Sequence, residues 1–377
     1  MKKIVCLFTA FLLTEMCLYH SISYVSASPG ISAEAGVLME LSSQDVLMSE
    51  NANKQLPMAS TTKIMTALVA LENCDDLSCI VRISEKAVGI EGSSVYLKAG
   101  EELTMEQLLQ ALLLESANDA AAAIAVEIAG DIPTFAEMMN DTAQRLGLTN
   151  THFTNPHGLD EDGHFTTAYD LARLTCYALQ NADFQRIVST YKATIPMCGE
   201  EGARVLVNHN RLLKSYSGSI GVKTGYTKRC GRCLVSAAER DGVTMIAVTL
   251  NDPDDWRDHS AMLDYGFSRY AMTTLAESGE YSYSFSCLGG TSQTVTASNR
   301  DEVRLPLPVD HGEVSVKVEA NRYLCAPIRE GDEVGELIFR LEDTVLARIP
   351  LYAVTASEKY KDQRSAADRL KDLLRIS

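Results

Sequence analysis

Ser60-Thr61-Thr62-Lys63 places a hydroxyl and an amine three residues apart. On a helix, positions three apart share a face. A serine hydroxyl is a poor nucleophile until a neighbour takes its proton. A lysine does that when it is neutral, a state favoured by burial or a nearby cation. Ser60 is expected at a helix start, where free backbone N–H groups can stabilise an oxyanion. Two more short motifs follow. Ser116-Ala117-Asn118 falls at a break between two apolar helical runs, and Lys223-Thr224-Gly225 lies on an expected strand. Glycine on a strand lets another backbone approach closely, and a lysine beside it can hold a substrate carboxylate. Each motif alone has an ordinary explanation: a solvated first turn, a helix cap at Asn118, a lysine on an edge strand. Ser-x-x-Lys, a polar helix-break element and Lys-Thr-Gly together, in this order, match a known catalytic signature.

These residues need particular elements to hold them. Val37–Leu41 and Val46–Met48 read as a hairpin across Ser42–Asp45. Helical periodicity begins near Ser60 with Ile64, Leu68 and Leu71 on one face. Thr104-Met105-Glu106-Gln107 is a capping box opening a second helix. An alanine-rich helix, Asp119 to Ala129, ends at Gly130 and lacks a polar face, so burial is expected. A loop-rich stretch from Asn155 to Gly163 precedes a helix from about Thr167 past Leu174. Gly221–Tyr226, Leu234–Ala238 and Val243–Leu250 read as strands, the last two joined across Asp241-Gly242. A helix is expected over Ser260 to Ala271. Strands at both ends around a helical middle imply an α+β fold, an antiparallel sheet with a helical cluster. From about 277 to 355, short alternating stretches separated by turns read as a small all-β domain.

The resemblance extends beyond the three motifs. Pro57 to Thr66, Asn155-Pro156-His157-Gly158-Leu159, Thr167 to Ala172 and Gly221 to Thr227 resemble blocks of the low-molecular-mass penicillin-binding proteins that are D-alanyl-D-alanine carboxypeptidases. The resemblance covers residues of about 35 to 275 continuously and the β domain more loosely. It implies a penicillin-binding/β-lactamase-like transpeptidase fold over about 30–275 and peptidoglycan stem peptides ending in D-Ala-D-Ala as substrates. It also implies β-lactams as covalent inhibitors. By the same resemblance Ser60 is acylated, Lys63 is the general base and Ser116 relays protons. Asn118 orients the peptide amide, Lys223 and Thr224 bind the terminal carboxylate, and Gly225 belongs to the strand along which the substrate docks. The N–H groups of Ser60 and Tyr226 form the oxyanion hole. No metal or cofactor is needed. Where some relatives carry a carboxylate-binding arginine, this chain has His209, with Arg211 two residues on. Ala117 replaces the acidic residue of class A β-lactamases. A β-lactamase is the first alternative, and the second domain speaks against it. A non-catalytic wall-binding protein is the other, and the intact motifs speak against that.

Of the 377 residues, 46% are apolar and 22% charged, a globular composition. The length suggests two domains. A net charge of −16 disfavours nucleic acid as a partner. Lys2 and Lys3, the apolar run Ile4 to Tyr19 and the small residues Val25-Ser26-Ala27 read as an export signal over 1–27. Glu358 to Ser377 carries six basic and four acidic side chains, with Ala366, Leu370, Leu373 and Leu374 at helical spacing. This tail is a candidate amphipathic membrane contact, which would hold the exported enzyme at the outer face of the membrane. Ten cysteines are present; Cys6 and Cys17 lie in the signal. Export permits disulfides without requiring them. Cys74 and Cys79, which flank a short acidic turn, are the pair considered for one. Cys230-Gly231-Arg232-Cys233 looks like a redox or zinc half-site, but no second ligand pair accompanies it.

Overall fold

The computed structural model describes residues 28–197 and 202–361. The export signal over 1–27, Cys198 and the tail beyond Lys361 lie outside the described residues. The first domain is built on a five-stranded antiparallel sheet. Its order is Val46–Glu50, Ala35–Glu40, Val243–Leu250, Gly231–Arg240 and Ser219–Thr227. Every residue of Ala35–Glu40 and Val243–Leu250 is buried, because helices cover both faces. On one face the helix Asp255–Arg269 packs Met262 and Leu263 against Leu38, Met245 and Ala247. On the other, Val37, Met39 and Val248 join the core of the helical cluster. The expected α+β plan is thus present, with the catalytic-signature strand Ser219–Thr227 at one edge of the sheet.

The helical cluster centres on Lys63–Glu72, whose first eight residues are buried. The Thr104/Gln107 capping box is formed in both directions and opens Met105–Leu114. Asn118–Ala129 is buried over its first eight residues, since alanine lets neighbouring helices approach closely. It stops at Gly130, whose φ of 85° is the left-handed conformation that favours glycine. Ser60 is not on the α-helix itself. It sits in a 3-10 turn, Ala59–Thr62, that feeds into Lys63–Glu72. Ala59 at φ 47° bends the chain there.

Several elements were not read from the sequence: the helices Ile132–Arg145 and Ala182–Ser189, and the hairpin Lys192–Pro196 with Ala203–Val207. The last helix of the domain runs from Asp255 to Arg269, five residues earlier than the expected start at Ser260. Residues 270 and 271, expected in that helix, are instead in a strand. Tyr270–Ala276 pairs antiparallel with Val303–Pro308, with no compositional break to mark the change. Beyond it lies a six-stranded sheet ordered Val314–Ala320, Glu333–Leu341, Thr344–Ala353, Thr294–Ser298, Ser282–Leu288 and Leu324–Cys325. Val295, Leu337, Phe339 and Leu351 form its core. The Tyr270 hydroxyl donates to Asp45 Oδ2 at 2.6 Å, tying the start of this β region to the first domain's hairpin. Among the described residues no helix is long and apolar enough to cross a membrane. Cys74 and Cys79 lie with their sulfurs 3.4 Å apart as free thiols.

Candidate active site

Three segments far apart in sequence meet at a cleft of about 430 Å³, lined by Ser60, Ser93, Ser116, His209, Arg211 and Thr224 and continued by Gly225, Tyr226, Arg232, Asp255 and Trp256. The 3-10 turn brings Ser60, the break before Asn118–Ala129 brings Ser116 at φ 60°, and the sheet edge brings Lys223 to Tyr226. Gly225 is what lets the strand press on the nucleophile turn. A Cβ there would lie 3.1 Å from Met58 O and 3.1 Å from Ser60 N. Ser60 N and the strand carrying Tyr226 therefore face one another across the cleft floor.

Lys63 is fully buried, and its Nζ has three oxygens in reach. Ser60 Oγ is at 3.0 Å, Asn118 Oδ1 at 2.7 Å and the His157 carbonyl at 2.6 Å. Burial holds its pKa well below the ordinary 10.5, and the neighbouring Lys223 adds to this; Asp119 opposes. A neutral amine has two hydrogens and one lone pair. The amide oxygen of Asn118 and the carbonyl of His157 can only accept, so they take both hydrogens. The lone pair is left facing Ser60 Oγ, where it can receive the hydroxyl proton.

The Asn155–Leu159 segment supplies that carbonyl. Asn155 Oδ1 accepts from Gly158 N at 2.8 Å, and Thr66 Oγ1 donates to Pro156 O at 2.6 Å. Gly158 has φ 85°, and a Cβ on it would fall 1.9 Å from Ala59 O. His164 supports the same turn. Its Nδ1 accepts from Thr154 N at 3.0 Å, so the neutral ring carries its proton on Nε2 and donates to Thr62 Oγ1 at 2.8 Å. Thr62 Oγ1 in turn donates to Ala59 O at 2.7 Å. Desolvation, the main cause, lowers His164 to about 4 and His157 to about 3, so both rings are neutral at pH 7.

Asn118 Nδ2 donates to Glu91 O at 2.5 Å while Oδ1 holds Lys63. One N–H and one lone pair of the amide remain for a substrate. Next to it, buried Asp119 accepts from Ser94 Oγ at 2.6 Å and Leu97 N at 2.9 Å, fastening the 93–97 loop to the cleft wall. Lys223 is 1% exposed and its Nζ donates to Thr224 O at 2.9 Å. Desolvation lowers its pKa to about 7, against the pull of Glu115. His209 Nε2 lies 3.3 Å from Glu115 Oε2, and burial together with Lys223 lowers the ring's pKa. Arg211 lies over the Trp256 ring at 5.8 Å, and Arg232 lies over the same ring at 5.9 Å. Arg232 is held by two hydrogen bonds to Asp255, at 3.0 Å and 2.5 Å.

All ten residues singled out from the sequence converge on this region. Reasoning from sequence missed the His157 carbonyl, Asp119, Glu115, Ser93 and the Arg211–Trp256–Arg232 stack. Asp119 had a signal, as the lone acid opening an alanine-rich helix, and so did Trp256, the chain's only tryptophan. The described residues bring no group of three or more His, Cys, Asp or Glu together as a metal site.

Fold and site together define the class, a penicillin-binding DD-peptidase with an appended β domain. A family model described as D-alanyl-D-alanine carboxypeptidase matches residues 23–254, and one described as penicillin-binding protein 5, C-terminal domain, matches residues 270–359. The chain belongs to the D-alanyl-D-alanine carboxypeptidase family. The second match begins where the Asp255–Arg269 helix gives way to the Tyr270–Ala276 strand. Among similar proteins, D-alanyl-D-alanine carboxypeptidase DacF of Bacillus subtilis is 34% identical over 330 residues, 85% of each chain. The structure of penicillin binding protein 5 from Haemophilus influenzae superimposes with a TM-score of 0.66 at 26% identity, covering 89% of this chain and 100% of that one. The Streptomyces K15 DD-transpeptidase gives 0.61 at 34% identity, covering 64% of this chain and all of the other.

The Gly158 contact yields a direct test. Gly158→Ala should cost about 3 kcal/mol or more in urea unfolding, through steric overlap with Ala59 and a strained φ. It should also slow acylation, since the displaced turn carries Ser60. A variant of wild-type stability and rate would show that the segment does not set the nucleophile's position.

Proposed function

We propose that the chain is a serine-type carboxypeptidase that removes the terminal D-alanine from peptidoglycan stem peptides through an acyl-enzyme on Ser60. The observation that carries this reading is the buried Lys63 Nζ lying 3.0 Å from Ser60 Oγ while the Asn118 and His157 oxygens, which can only accept, occupy its other two positions. Lys63 takes the Ser60 proton as Oγ attacks the carbonyl of the penultimate D-alanine. The developing oxyanion faces the N–H groups of Ser60 and Tyr226. Ser116, beside the cleft, passes a proton to the departing D-alanine amine, and the acyl bond then yields to water. The terminal carboxylate sits against Lys223 and Thr224, with the His209 ring and the Arg211 guanidinium at the same end. Asn118 offers its remaining amide valences to the peptide. The reaction needs an exported enzyme, because stem peptides lie outside the cell membrane.

Labelling with a fluorescent penicillin tests this reading against its rivals. Stable label on the wild type and none on Ser60→Ala is expected. Label that is quickly lost would indicate a β-lactamase, and no label on a folded protein would indicate a wall-binding protein. Cell fractionation of the labelled protein reports its place. Pelleting with membranes, abolished by removing residues after Glu358, is the outcome expected if the basic tail makes the contact; unchanged pelleting excludes the tail.

Lys223 gives a pH dependence of definite sign. Its pKa is lowered to about 7, so the empty site holds the ammonium below that pH and loses it above. For a peptide with a free terminal carboxylate, kcat/KM should therefore fall as pH rises through about 7. A peptide amidated at that end should lack this fall. Identical profiles for the two peptides would remove Lys223 from carboxylate binding.

A further inference from the structure

The Cys230-Gly231-Arg232-Cys233 run plays no part in the chemistry above, yet it lies directly under it. Cys230 is at the tip between the Ser219–Thr227 and Gly231–Arg240 strands, and Cys233 is the ladder partner of Gly225. Gly225 is the residue whose backbone touches Met58 and Ser60. Cys233 Sγ itself lies 3.9 Å from Pro57 O, at the entrance to the nucleophile turn. Arg232, between the two cysteines, is part of the cleft wall. A change in the separation of the two sulfurs that side-chain rotation does not absorb would move the strand edge against which a substrate would lie.

We propose that Cys230 and Cys233 form a redox-active pair that closes to a disulfide by exchange with a small-molecule disulfide, and that closure slows acylation at Ser60. The second half rests on the reading of Ser60 as the acylated residue.

The two thiols have unequal roles. The neighbouring Cys233 thiol and, after it, the Thr227 hydroxyl lower the Cys230 pKa to about 7 against the opposing effect of burial. The partner Cys233 is pushed well above the usual thiol value. Elsewhere burial raises Cys176 to about 12 and Cys74 to about 11, so Cys230 stands apart as a ready thiolate. Thiolate character is what makes a cysteine attack a disulfide. Both sulfurs are buried, but the tip is thin. Lys228 and Arg229 are exposed, and Gly231, at φ 68°, allows the turn to open. Local fraying of such a hairpin end is enough to admit a small reagent.

The exchange balances. The Cys230 thiolate attacks one sulfur of the small disulfide, forming a mixed disulfide and expelling one thiolate. Cys233 gives its proton to that thiolate and attacks Cys230 Sγ, expelling the second. Two protein thiols lose two electrons, and one small disulfide becomes two thiols. The new bond draws the sulfurs to roughly 2.05 Å. It also ends the contact in which Thr227 Oγ1 donates to Cys230 Sγ at 3.2 Å, leaving that hydroxyl to Asp160. A shift on the order of 1 Å at a reacting centre can cost about 10²-fold in rate, so a smaller movement of the strand edge is expected to cost about 10-fold.

The test uses the whole mature protein in glutathione buffers of increasing oxidised fraction. Samples are quenched in acid, denatured, alkylated and mapped by mass spectrometry, while penicillin acylation is timed in parallel. The expected result is a 230–233 disulfide, about 10-fold slower acylation and full recovery on adding excess dithiothreitol. Cys233→Ala should acylate at one rate in every buffer, which separates this pair from Cys74 and Cys79, whose sulfurs lie 3.4 Å from one another. Both thiols alkylated throughout would overturn the proposal, and so would a closed disulfide with unchanged acylation. Reduced protein that never takes label would refute the Ser60 reading instead. Emission of Trp256, the sole tryptophan and part of the cleft wall, would then decide. A shift on closure would support the movement of the strand edge, and none would overturn it.

Discussion

Two lysines are buried with no carboxylate hydrogen-bonded to either amine, Asp119 and Glu115 acting on them only through space, and the rest of the site is arranged around that fact. Lys63 and Lys223 are 0% and 1% exposed. The oxygens within hydrogen-bonding reach of their amines are a hydroxyl, a side-chain amide and backbone carbonyls. Withdrawing an ammonium from water without an ion-pair partner favours the neutral form. The charge on Lys223 further disfavours one on Lys63. The pair thus divides the work. Lys63, with more polar acceptors and deeper lowering, is set to be the base, while Lys223, near neutrality in the empty site, is set to regain a proton when an anionic substrate end arrives.

Much of the fold serves to maintain this dry arrangement. The Lys63–Glu72 helix and the alanine-rich Asn118–Ala129 helix exclude water from one side. The Asn155–Gly158 turn closes another, and can do so only because Gly158 has no side chain to strike Ala59. His164 and Thr62 hold the Ala59 carbonyl, and with it the bend that presents Ser60. Gly225 permits the sheet edge to seal the floor. Among the described residues none of the appended β region lines the cleft, and its hydrogen bond from Tyr270 to Asp45 lies on the far hairpin of the sheet.

What the sequence disclosed and what it withheld differ in physical kind. Ser60 and Lys63, Ser116 and Asn118, and Lys223 to Tyr226 each lie within a few residues on one element, so local spacing exposes them. The capping box at Thr104 and the stop at Gly130 are likewise local. The carbonyl of His157 is a backbone group, invisible to residue type, and reaches Lys63 across 94 positions. The stack of Arg211, Trp256 and Arg232 joins three separate elements. The helix Ile132–Arg145 was missed because its buried face is sparse, with Phe135, Ala136, Met139 and Ala143 among polar neighbours. The shift from helix to strand at Tyr270 follows from pairing with Val303–Pro308, a partner more than thirty residues away.

The central claim is that Lys63 is a neutral amine at physiological pH with its lone pair on Ser60. Nitrogen-15 NMR of the lysine side chains, with Lys63 assigned through Lys63→Arg, measures this directly. The account predicts a neutral Nζ at pH 7, a titration well below the ordinary 10.5, and a rise in that midpoint when Lys223→Ala removes the neighbouring cation. A Lys63 that stays protonated up to its ordinary value, unaffected by the loss of Lys223, would contradict it.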